Sequence, residues 1–303
     1  MARIAILLLS VTLIAGLTPV AARMATAEIP PLLIPLVRFG TAGLLLAITA
    51  KWLRLWRPVA RRHWPMLAAL GFLCVPINQL GYLVGIKKAN ASHAGIAYAL
   101  APVLVFWISV ALRRASLSWR LGIASVLAFA GATLVDLATS GPKPIAGRLP
   151  QTMLVGDALL LSAVLSWSLF VVLSQPLVKE LGAVTTLCLV FLVGTLWHIP
   201  VAAVDWMWLQ KDFSISAITW QGWAGLAYLT FITAYLNYLL WYVVTARYDL
   251  TRSAVVTNAH FLVTVALEAV LFDQGVGKIA IVGSALLLSG IVLATRAKQG
   301  VRD

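Results

Sequence analysis

Leu7-Leu8-Leu9-Ser10, near the start of the chain, is written again as Leu159-Leu160-Leu161-Ser162. The register continues without a gap. Leu13 answers to Leu165, Leu17 to Leu169, Val20 to Val172, Glu28 to Glu180 and Phe39 to Phe191. Further on, Leu80, Tyr82 and Leu83 correspond to Leu236, Tyr238 and Leu239, and Leu127 and Gly131 to Leu286 and Gly290. Leucine matches are cheap in apolar segments. Serine, glutamate, tyrosine and glycine matches in one consistent order are not, and they mark a duplicated structural unit.

The duplicated unit is apolar. Of the 303 residues 61% are hydrophobic and 11% charged, whereas a soluble domain carries about 25% charged residues. A bilayer core about 30 Å thick needs about 20 apolar residues per helix. Runs of that kind lie near 3–22, 31–50, 65–86, 93–112, 119–138, 155–176, 183–204, 219–244, 252–272 and 277–295. The first could be read alone as a cleaved signal peptide, but a signal peptide has no reason to match an internal segment. The run 252–272 carries Asn258, His260 and Glu268 and is the least apolar, as a helix lining an aqueous cavity would be.

The expected fold is therefore an all-α integral membrane protein: ten transmembrane helices as two five-helix repeats, 1–140 and 154–298. Five crossings are an odd number, so the second repeat enters the membrane from the opposite side and the halves are inverted. Inverted halves are the architecture of many secondary transporters, with the solute site near the midplane.

Basic residues set the orientation. With the N-terminus in the cytoplasm, Arg3, Lys51, Arg54, Arg57, Arg61, Arg62, Arg113, Arg114, Arg120, Lys179, Arg247, Arg252, Arg296, Lys298 and Arg302 fall inside. They outweigh Arg23, Lys87, Lys88, Lys143, Arg148, Lys211 and Lys278 outside. Both termini are expected in the cytoplasm. Trp52, Trp56 and Trp64, and Trp206, Trp208, Trp220 and Trp223, flank loops as interface anchors do.

The formal charge of +13 is spread over these loops, so it reads as a topology signal rather than a nucleic-acid surface. Cys74 and Cys188 lie in apolar runs, and the four histidines are far apart, so neither a metal nor a cofactor is expected. No GxxxxGK[ST] phosphate loop, GxSxG or HExxH occurs, which speaks against direct ATP use and against an enzyme. The expected partners are a small-molecule solute and the lipid bilayer. A membrane-embedded enzyme or a channel-like pore is the alternative. The GxxxG of Gly81 and Gly85 permits close helix contact, within one chain or between two, and gives no argument for a homodimer.

Leu36-Val37-Arg38-Phe39, Leu100-Ala101-Pro102 and Ala128-Phe129-Ala130-Gly131 in the first half, with Leu165-Ser166-Trp167 and Leu287-Leu288-Ser289-Gly290 in the second, carry a family resemblance. Over essentially its whole length the chain resembles the drug/metabolite transporter superfamily, in its ten-helix branch with two EamA-type domains. The family's glutamates after the fourth and ninth helices would fall near Ala115 and Gln274, and His260 stands where the second half would carry the counterpart of Pro102. The resemblance implies a carrier of the inner (cytoplasmic) membrane, often an exporter of amino acids or related metabolites.

Polar residues inside spans should face neighbouring helices or a cavity. The candidates for lining a cavity are Asn78, Gln79 and Tyr82, Tyr98, Trp167, Asn237, Tyr238 and Trp241, and Asn258 and His260. Each could instead serve as interhelical glue, worth about 1 kcal/mol. Candidates for coupling or gating are Arg38, Pro102 and Glu268. Pro102 removes a backbone donor and can kink its helix. Arg38 is the most expensive residue, since an arginine at a helix centre costs about 2.5–3.5 kcal/mol on insertion scales. It could snorkel outward, pair with Glu28 or Glu268, or steer an anionic solute.

Overall fold

The computed structural model describes residues 2–89, 91–139, 150–209, 213–245, 250–263 and 277–296. In hydrocarbon every backbone polar group must be satisfied internally, and this chain does so with helices; no strand occurs among the described residues. In chain order they are α1 (Ala2–Glu28), α2 (Ile34–Trp52), α3 (Arg61–Lys88), α4 (Ala91–Ala99, resuming as Ala101–Ala111) and α5 (Trp119–Thr139). There follow α6 (Pro150–Leu181), α7 (Ala183–Leu209), α8 (Trp220–Thr245), α9 (Leu250–Thr257, resuming over 260–263) and α10 (Lys278–Arg296). Gly182 alone joins α6 to α7, at φ +77°, a left-handed conformation that glycine adopts without steric cost.

Among the described residues eight helices are long and apolar enough to cross a membrane, against an expectation of ten for the whole chain. The other two are α5 and α9. Helix α5 runs over Trp119–Thr139, with Trp119–Val135 as its apolar part. The expected run 252–272 is not one helix: a turn at Asn258 and Ala259 interrupts it. Asparagine competes for backbone hydrogen bonds and is a poor helix interior residue. Its amide here reaches Ala99 O on α4 at 3.2 Å. Residues 264–276, with Glu268 and Gln274, lie outside the described residues.

Three more helices are irregular in mid-span. Leu73–Ile77 of α3 winds as a π-helix around Pro76, which has no N–H to donate. Tyr228–Asn237 of α8 is π-helical as well. The turn at Leu100 divides α4 just before Pro102. Irregular backbone at membrane depth needs partners from neighbouring helices, and they are present. Ser166 Oγ donates to Leu73 O at 2.6 Å, and Arg38 Nε donates to Leu229 O at 3.1 Å.

Glycines set the closest packing. Gly81 and Gly85 bring α3 onto α6, where an added Cβ would lie 2.7 Å from Leu159 O and 3.1 Å from Gly156 O. The GxxxG is thus used inside the chain. In the α5–α10 seam, a Cβ on Gly131 would sit 2.3 Å from Leu287 N, and one on Gly290 would sit 2.8 Å from Ala124 O. Beyond these pairs, α1 packs on α8 and α9, α6 on α3 and α4, α2 on α8, α7 on α3, and α2 on α7. Large apolar side chains such as Leu9, Leu44 and Leu196 face outward, the arrangement suited to lipid. The protein is a multi-pass membrane protein.

Candidate solute-binding site

The irregular stretches of α3, α4 and α8 converge on one cluster. Asn78, immediately after the π segment of α3, is 3% exposed. Its amide donates to Tyr98 Oη at 2.7 Å and to Ala163 O at 2.9 Å. Gln79 Nε2 donates to Asn78 Oδ1 at 2.6 Å. The rings of Tyr82 and Tyr98 meet edge to face, 5.3 Å apart. Tyr238 of α8 takes Trp167 of α6, Phe39 of α2 and Phe191 of α7 around its ring, at 5.5, 6.3 and 5.1 Å. Edge-to-face pairs at these separations are favoured by the ring quadrupole.

Arg38 enters the cluster from α2. Its guanidinium carbon lies 4.9 Å from the centre of the Phe39 ring, and Nε is spent on Leu229 O. Tyr238, Cys74, Tyr82 and Tyr98 all lie within its electrostatic reach. Among the described residues no carboxylate is within ion-pairing distance of it. Snorkelling to the interface does not describe this side chain, which reaches toward α8. Nor does a pair with Glu28. Glu28 accepts from Thr219 N at 2.6 Å and Thr219 Oγ1 at 2.7 Å, at the start of α8, where a carboxylate satisfies orphan helix amides. Arg38, Tyr82 and Tyr98 are deeply surrounded by protein yet keep accessible surface, as side chains facing an internal space do.

The other candidates are placed as follows. Asn237 and Trp241, one turn apart on α8, leave Oδ1 and Nε1 buried without a partner. Asn258 ties the break in α9 to the break in α4, one residue from Tyr98. Pro102 is buried at the start of the second half of α4. His260 Nδ1 is 2.9 Å from Thr257 O, and its ring tilts against Phe261. Glu268 lies outside the described residues. Two aromatics were not singled out for the site by sequence. Phe39 and Phe191 touch each other at 5.0 Å as well as Tyr238. Their signal was present, since they are a matched pair of the repeat. Cys74, expected as a buried hydrophobe, is buried and lies beside Tyr238.

Such an arrangement can hold a small solute with one polar end among tyrosine hydroxyls and a guanidinium and an apolar part against Trp167 and Tyr238. Among the described residues no group of three or more His, Cys, Asp or Glu could hold a metal ion.

Comparison with known proteins bears on the same question. The sequence profile of the EamA-like transporter family matches residues 2–136 and again 154–296. The uncharacterized transporter YetK of Bacillus subtilis (strain 168) is 22% identical over 287 residues, covering 94% of this chain and 84% of that protein. An uncharacterized transporter of Archaeoglobus fulgidus is 23% identical over 272 residues, with 90% of each chain covered. A solved crystal structure superposes with a TM-score of 0.77 at 18% identity over 97% of both chains, a likeness of fold alone.

Proposed function

The chain belongs to the EamA-like transporter family, and from that premise we propose that it is a secondary transporter of the cytoplasmic membrane, exporting amino acids or related small metabolites by alternating access. The observation that carries the reading is the convergence of the broken helices α3, α4 and α8 on one polar-aromatic cluster around Arg38. Unwound helices at the midplane are where transporters bind solute. The inner-membrane placement, with both termini in the cytoplasm, rests on the loop charges.

The helix contacts support inverted halves. Exchanging α1 with α6, α2 with α7, α3 with α8, α4 with α9 and α5 with α10 turns the contacts of α1 with α8 and α9 into those of α6 with α3 and α4. It likewise turns α2–α8 into α7–α3, and leaves α2–α7 and α5–α10 unchanged. Two such halves give two related shapes, each open to one side. A pore reading has less support, since no ring or filter made by several copies is called for by these contacts.

The test compares metabolites inside cells and in the medium between a deletion strain and an overexpressing strain. The reading expects accumulation inside the deletion strain and enrichment of the same compound outside the overexpressing one. Identical profiles in both strains, with the protein shown to be in the membrane, would count decisively against export.

A further inference from the structure

We propose that the solute is recognised through a carboxylate held by Arg38, with its apolar body against Trp167 and Tyr238; this rests on the transporter reading above. Guanidinium keeps its proton at any physiological pH, so the site carries a permanent positive charge. In the described residues nothing neutralises that charge. Glu180 is engaged by Arg62 and His63, Asp157 by His93, and Glu28 by Thr219. The groups closest in electrostatic terms are three tyrosine hydroxyls and a thiol, which bring no negative charge at neutral pH. An unpaired charge at this depth is costly, and a solute that supplies the counter-charge relieves the cost.

The geometry points to the shape of that solute. Leu229 O takes Nε and the Phe39 ring backs the guanidinium, so the plane is fixed. None of the described residues hydrogen-bonds the two terminal nitrogens. That free edge presents two parallel N–H donors, which match the two oxygens of a carboxylate. Lysine could supply the charge but not the fork. The partly exposed ring of Trp167, edge to face with Tyr238, offers apolar surface beside it. Since no carboxylate of the described residues lies free in the cluster, an amino group on the solute gains little.

Binding to purified full-length protein is measured with L-leucine, 4-methylpentanoate and L-leucinamide, with inorganic phosphate as competitor. Leucine and 4-methylpentanoate should bind comparably. Leucinamide, which lacks the anion, should bind at least about thirtyfold more weakly, because leaving one partner of a buried charge pair alone costs about 2 kcal/mol or more. Arg38→Gln should erase the preference for acid over amide, and Arg38→Lys should keep part of it. Equal binding of leucine and leucinamide by the wild-type protein overturns the inference, and needs no variant to fold. Displacement of leucine by phosphate as readily as by 4-methylpentanoate overturns the carboxylate assignment too. Folded wild-type protein that binds none of the three also overturns it, while the export reading is judged separately by the strain comparison.

Discussion

Helices α3 and α8 occupy matched places in the repeat, and both unwind into π-helix at matched residues. Leu73 corresponds to Leu229 in the register that pairs Tyr82 with Tyr238. In each, that leucine's carbonyl accepts a side chain from a neighbouring helix. In α3 the donor is the neutral hydroxyl of Ser166; in α8 it is the cation Arg38. The next polar residues diverge in the same sense. Asn78 and Gln79 of α3 are consumed in hydrogen bonds to Tyr98, Ala163 and each other. Asn237 and Trp241 of α8 keep buried groups without partners. One copy of the motif has been spent on holding helices together, and the other has been left with open valences. A buried polar group without a partner costs about 1–3 kcal/mol, so Asn237 and Trp241 gain from any partner that reaches them.

Five substitutions test this division, all read by thiol-reactive dye on heating, since Cys74 and Cys188 are both buried and label on unfolding. The largest effect is expected for Gly81→Asn, which gives α3 the residue that α8 carries at the matching place. Its Cβ would meet Leu159 O at 2.7 Å, and overpacking of this kind costs up to about 3 kcal/mol. Wild-type melting would mean that the α3–α6 contact is slack. Next is Asn78→Ala, expected to lose about 2 kcal/mol by stranding its partners; a loss too small to detect would place the α3 network among the dispensable ones. Third is Glu28→Gln at the start of α8, worth less than about 1 kcal/mol. Its counterpart Glu180→Gln should matter only at low salt, because Glu180 and Arg62 are exposed and screened. Equal salt dependence for both glutamates would erase that contrast. The smallest effect is expected for Asn237→Ala, which removes a partnerless acceptor and installs a better helix former. It should melt at or slightly above wild type while changing transport. A clear fall in melting temperature would show that Asn237 has a structural partner after all.

The helical, membrane-spanning character was legible in the sequence, because span length and apolar composition are local properties. Arg38 could be singled out on cost alone, since a charge inside an apolar run is conspicuous wherever it points. Its direction was not legible. The choice of Leu229 O over Glu28 depends on a carbonyl exposed by the π segment of α8, and Tyr228–Asn237 has no proline or glycine to announce one. The proline at 76 in α3 was a visible warning of irregularity there. The break at Asn258 hid for another reason: its asparagine looked like a cavity residue, whereas its amide is committed to Ala99 O on another helix. Long-range partners of this sort belong to the packed state and leave no trace in spacing.

The α5–α10 seam has a mechanical corollary. Where Gly131 faces Leu287 and Gly290 faces Ala124, main chain rests on main chain with room for little beyond hydrogen atoms. Neither rod can slip lengthwise without driving a neighbouring side chain into the other's backbone. The alternating access proposed above is expected to leave this joint intact.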